Sequence, residues 1–131
     1  MGLLNEDIKT YLEGATWSYL TEPTMYLYNP KTLKSLPILA IVPLPVTQVG
    51  ASNDDTLGIY ENSIQLILKV KTSDELVAGH KDIIKLMKEY NSNNESVVFR
   101  QAFEEPPKSR TRIFIKTFEY TVTQLKETGS W

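Results

Sequence analysis

The chain has 131 residues, of which 41% are hydrophobic, 23% charged and 10% aromatic; this is globular composition of one-domain size, neither disordered nor fibrous. Its 14 basic and 16 acidic residues, net charge -2, are scattered through both halves, which leaves no basic footprint for phosphates and argues against direct nucleic-acid binding. Cysteine is missing altogether, which excludes a disulfide framework, a thiolate nucleophile and a cysteine-type zinc site, and the apolar run 36–46, broken by Pro37, Pro43 and Pro45, is far short of the roughly 20 residues a membrane span needs.

The first residues carry no basic start, apolar stretch or small-residue cleavage site of a secretory signal, so the expectation is a protein of the cell interior. Asn5 offers an N-cap, Glu6 and Asp7 place carboxylates at the positive end of the helix dipole, and Ile8, Tyr11, Leu12 and Ala15 recur at helical spacing. A helix over about 5–14 follows, with Gly14 near its stop. Next come two short β segments, Met25 to Tyr28 and Pro37 to Val42, read as a hairpin across the turn signal Asn29-Pro30-Lys31-Thr32.

From Pro43 to Gly58 two prolines, two glycines and a small polar cluster show no sustained period, which predicts a long flexible loop. Such a loop is either an idle connection or an interaction loop that orders when a neighbour covers Leu44, Val46 and Val49. Ile64, Leu66, Leu68 and Val70 then alternate with Gln65, Lys69 and Lys71 as a strand with one buried face. At Thr72 the period changes: Thr72 and Glu75 are spaced as a capping box, and the helix 73–90 carries a stripe of Leu76, Val77, His80, Ile83, Ile84 and Met87, with Asp74, Lys81, Asp82, Lys85 and Lys88 mostly outside it. His80, the one histidine, reads as a packing residue whose ring nitrogens are paired, with a ligand or acid–base role as the alternative.

Asparagines near residue 91 end that helix, and strands over 96–103 and 110–125 pair across the turn 104–109. In the second strand Ile113 and Ile115 lie on one parity and Phe118, Tyr120 and Val122 on the other, which a bulge near Lys116 or Thr117, or burial of both faces, would produce. The aromatics Phe99, Phe103, Phe114, Phe118 and Tyr120 read as core rather than as a base-stacking platform. Residues 126–131 are expected to fray. The predicted fold class is therefore α+β, one domain over 1–131 with a mostly antiparallel sheet and two helices packed on one face.

Little chemistry is written in these residues. General acid–base or nucleophilic catalysis needs an activated base or nucleophile, and one histidine without cysteine scarcely assembles one, so no enzyme, metal or cofactor is expected. The pairs Asp54–Asp55 and Glu104–Glu105 read as solvated turn carboxylates, and Lys108, Arg110 and Arg112 as charges that keep a strand edge soluble.

The succession helix, β segments, loop, strand, helix and closing strands resembles the tail-terminator and minor capsid proteins of long-tailed bacteriophages. The resemblance rests on Tyr60, Ile64 and Gln65 at the strand opening, on the polar start of the helix, and on Phe118, Tyr120 and Val122 in the closing strand, and it covers about residues 58–127. It implies a structural protein without catalytic residues that caps the tail tube as a ring, hexameric in that family, and offers its other face to the head connector. The setting it implies is the virion, and the host cytoplasm during assembly. The assembly surface is then expected at Leu44, Val46, Val49, Asp54 and Asp55 of the central loop and at Lys108, Arg110 and Arg112 of the strand edge. The rival reading is a bacterial regulatory or small-ligand-binding α+β domain with its pocket near His80.

Overall fold

A computed structural model describes residues 4–28, 36–51, 57–90, 95–105 and 113–127. In chain order the elements are α1 (Leu4–Glu13), β1 (Thr24–Tyr26), β2 (Ile38–Ala51), β3 (Leu57–Val70), α2 (Ser73–Glu89), β4 (Glu95–Glu105) and β5 (Phe114–Glu127). The strands form one five-stranded sheet in the order β1-β2-β3-β5-β4. Every neighbouring pair is antiparallel except β1 and β2, so the α+β class holds, with a mostly antiparallel sheet.

Alternation decides which face the helices cover. Leu39 and Ile41 of β2, Ile64, Leu66, Leu68 and Val70 of β3, and Phe118, Tyr120 and Val122 of β5 share one core cluster with Ile8 and Leu12 of α1 and Leu76, Ile83, Leu86 and Met87 of α2. Both helices therefore lie on the same side of the sheet. Burying each of these side chains contributes about 1.5–3 kcal/mol, which holds the amphipathic helices against the strands. Thr72 caps α2 as its spacing predicts: its Oγ1 accepts from the Glu75 backbone N–H at 3.1 Å and donates to the Glu75 carboxylate at 3.2 Å. Gly79 lets α2 approach β3, since a Cβ there would collide with Leu68 Cδ2 and lie 3.1 Å from Leu20 Cδ2.

Several expectations are corrected. β1 and β2 pair in parallel, Thr24 with Ile38 through Tyr26 with Ala40, so they are not the two arms of a hairpin. The turn signal at 29–32 lies outside the described residues. The segment 43–58 is largely strand rather than loop: β2 runs on to Ala51 and β3 begins at Leu57, with Val46 opposite Asn62 and Ala51 opposite Gly58. Irregularities between Pro43 and Val46 and between Gln48 and Gly50 shift the register, which is why no period of two survives in the sequence. Pro43 is tolerated because, among the described residues, β1 covers only residues 38–40 of β2, so its missing N–H can face an outer edge without a strand.

β5 likewise extends through Lys126 and Glu127, paired with Gly58 and Leu57, where fraying was expected. It carries no bulge near Lys116; the β3–β5 register is continuous, and the irregularity falls on β4 between Phe99 and Gln101. The change of phase in β5 comes instead from its two faces, with Phe118, Tyr120 and Val122 toward the helices and Ile115, Thr117 and Thr121 toward the other side. On α2, Val77 is exposed and Asp82 is buried, the reverse of the stripe expected for both.

Candidate interaction surface

The expected assembly residues do not form one site among the described residues. Leu44 lies in β2 and is half-buried, and Val46 and Val49 continue the same strand. Asp54, Asp55, Lys108, Arg110 and Arg112 lie outside the described residues.

His80 does enter a cluster. Its ring stacks at a tilt on Phe118 with centroids 5.5 Å apart, and Nδ1 is buried without a hydrogen-bond partner, against the expectation that both nitrogens are paired. Lys116 of β5 extends over the Phe118 ring at 5.7 Å and pairs with Glu104 of β4 at 3.2 Å. Burial, then the Lys116 charge, push the His80 pKa below its ordinary value, and Glu104 opposes them. A neutral imidazole packed on phenylalanine suits a packing role. Among the described residues no three histidine, aspartate or glutamate side chains gather to hold a metal ion.

The sheet's other face carries a polar ladder. The Glu119 carboxylate of β5 accepts from Gln101 Nε2 of β4 at 2.7 Å and from Gln65 Nε2 of β3 at 2.8 Å, and these two bonds, Gln101 first, hold its pKa below the usual carboxylate range. Beside it, Thr121 Oγ1 accepts from Arg100 Nε at 3.1 Å and lies 3.3 Å from Ser63 Oγ. Neither Gln101 nor Arg100 stands out in the sequence. The alternation that pairs them with β5 would have marked them only if the bulge at Arg100 had been placed correctly.

A groove of about 510 Å³ runs between the C-terminal ends of the helices, bounded by Tyr11, Gly14 and Thr16 on one side and Lys85, Leu86 and Glu89 on the other. The Tyr11 hydroxyl donates to the Leu86 carbonyl at 2.9 Å across its floor, and burial, then Glu89, raises the Tyr11 pKa. This groove does not include His80.

Among the described side chains of the strands, the large apolar ones that are exposed lie on β4. Val98, Phe99 and Phe103 are 45%, 46% and 44% exposed, although the sequence reads both phenylalanines as core. Phe99 lies opposite Tyr120 on the helix side, with ring centroids 5.4 Å apart, and Val98 and Phe103 lie opposite Thr121 and Thr117 on the other side. On the helix side β4 lies at the margin of the core, with Val97 and Ala102 partly buried and Phe99 exposed; on the other side neither helix covers it, and among the described residues it is the terminal strand of the sheet. Sequence pattern marked these residues as strand and apolar; only strand order shows that they are at an edge.

No protein-family model matches the chain. No curated protein matches it either. The architecture alone defines its class: among the described residues it is an α+β protein with one sheet, its helices on one side and β4 at an edge, and no helix of these residues is long and apolar enough to cross a membrane.

Proposed function

We propose that the protein is a virion structural protein of a long-tailed bacteriophage or prophage, of the tail-terminator or minor capsid type, which caps the tail tube as a ring and joins it to the head connector. The observation that carries this reading is the run from Leu57 to Glu127. β3 passes through the Thr72 cap directly into α2, and β4 and β5 return as an antiparallel pair, the succession on which the resemblance rests. The work of such a protein is contact between chains, and a ring closes only through two different patches on each subunit. In this reading the distal half of β2, with Leu44, Val46 and Val49, belongs to one patch, and the segment bearing Lys108, Arg110 and Arg112 to the other.

The test is genetic and visual. Deleting the gene from the phage or prophage that carries it should leave filled heads and unjoined tails in lysates viewed by electron microscopy, and the purified chain should form rings on tail tubes. A normal yield of joined, infectious particles would overturn the reading. A small-ligand-binding domain is the second reading, favoured by the groove between α1 and α2 rather than by His80. Saturable stabilisation by a metabolite in a thermal-shift screen, abolished by filling the groove at Gly14, would support it instead.

A further inference from the structure

We propose that β4 pairs antiparallel with β4 of a second copy of this chain, so that two five-stranded sheets run on as one across a two-fold axis. The inference does not rest on the tail-assembly reading, because a ring closes through heterologous contacts on other surfaces. Val98 and Phe103 are exposed on one face of β4 and Phe99 on the other. A partner docked on either face would leave the opposite side bare; only a strand added to the edge shelters all three.

The two ends of the sheet differ in how they meet such a strand. Among the described residues the outer edge of β2 is unpaired beyond Ala40, but Pro43 and Pro45 interrupt its donors there, a common way of blunting an edge. β4 has eleven residues, Glu95–Glu105, with neither proline, glycine nor lysine. Prolines guard the β2 edge, whereas β4 carries only the bulge at Arg100, which a second copy with the same bulge can match, so β4 is the competent edge. With one competent edge per chain, the contact that uses it twice is two-fold.

The sequence of β4 is complementary to itself in one register. The bulge at Arg100 reverses the parity of the strand, so that Val97, Phe99, Ala102 and Glu104 share the helix side and Val98, Gln101 and Phe103 the other. With the axis between Arg100 and Gln101, Val98 lies opposite Phe103 of the second copy and Phe99 opposite Ala102 of the second copy. Every facing pair then points to the same side of the sheet. Glu104 and Glu105 face Val97 and Ser96 of the second copy, so no two carboxylates meet. Moving the register by one residue in either direction sets facing residues on opposite faces, Phe99 against Gln101 in one case and against Phe103 in the other, and the first also opposes Glu95 to Glu105 and Arg100 to Arg100.

Size is in keeping with a reversible dimer. A strand of eleven residues is about 37 Å long, and overlap over 96–105 would form about ten inter-strand hydrogen bonds, the number a typical interface carries. The half-exposed side chains offer at most roughly 500 Å² of further apolar burial over both copies, at about 200 Å² for a whole aromatic side chain.

Sedimentation velocity over a wide concentration range tests the proposal. The wild-type chain should pass from monomer to dimer with rising concentration, and V98K or F103K should weaken the dimer at least tenfold while circular dichroism stays unchanged, since both positions face solvent. Because the chain has no cysteine, V98C/F103C should form disulfide-linked dimers on mild oxidation, whereas V98C alone should not. A monomer at every concentration would overturn the proposal and leave the edge to a strand of another protein. A ring in place of a dimer, or a dimer insensitive to both lysines and not cross-linked by the cysteine pair, would overturn it equally.

Discussion

Replacing Asp82 with alanine is expected to be the most damaging single polar substitution on α2. The side chain is 1% exposed, and its two oxygens accept backbone N–H groups of Ser18, Tyr19 and Leu20 at 3.1, 2.9 and 2.8 Å. One carboxylate thereby ties the connection after α1 to the middle of α2. Hydrogen bonds to a charged group contribute about 1.5–3 kcal/mol each, and a buried donor left without a partner costs about 1–3 kcal/mol. Ser18 and Tyr19 are exposed and can turn to water, whereas the Leu20 N–H is buried. The loss from D82A is therefore about 3–5 kcal/mol, less than three full bonds and more than one. D82N keeps one acceptor oxygen and should lose about half as much. In urea, with a slope of about 2 kcal/mol per molar, the D82A midpoint should fall by roughly 2 M. Hydrogen exchange should show faster exchange at Leu20 before that at β3 and β5. A loss below about 1 kcal/mol, or equal losses for D82A and D82N, would refute the role assigned to the three bonds.

G79A should destabilise by about 1 kcal/mol in the same titration, since overpacking against the buried Leu68 and Leu20 costs about 1–3 kcal/mol and the gain in helix propensity returns at most about 1. E119Q should cost about 1 kcal/mol by weakening both glutamine bonds, and wild-type stability owed to Glu119 should be present above its ordinary pKa of 4.5 and lost as pH falls through its lower folded value. His80 works in the same direction at higher pH. Burial holds its folded pKa below the unfolded 6.5, so the unfolded chain takes up the proton first and stability should fall as pH drops below about 6.5, levelling out below the folded pKa. H80Q should flatten that part of a melting-temperature profile; an unchanged profile would show that His80 titrates alike in both states.

Much of the architecture was legible because its signals are local. The Thr72–Glu75 box, the period of α1 and α2, and the alternation of Ile64 to Val70 each act within a turn of helix or a few strand residues, where neighbours in sequence are neighbours in space. These features place both helices and the closing pair β4–β5 within a few residues of their positions, and the second half of β3, whose first seven residues they miss. Tertiary structure decided what depends on distant partners. The parallel pairing of β1 with β2 is a relation between two separate segments, which no residue of the apparent hairpin encodes. β2 and β3 keep their ladder through prolines and bulges because an edge strand can spare a donor on its outer side, so a segment without any period is still a strand. Asp82 lies outside the apolar stripe yet is buried, since the connection after α1 folds over it with three N–H groups needing an acceptor. Phe99 and Phe103 are as apolar as Phe118, but Phe99 lies at the margin of the helix-covered face and Phe103 on the face that the helices do not cover. The same side chain is core on the fourth strand of the sheet and surface on the fifth, because burial belongs to the place in the fold and not to the residue.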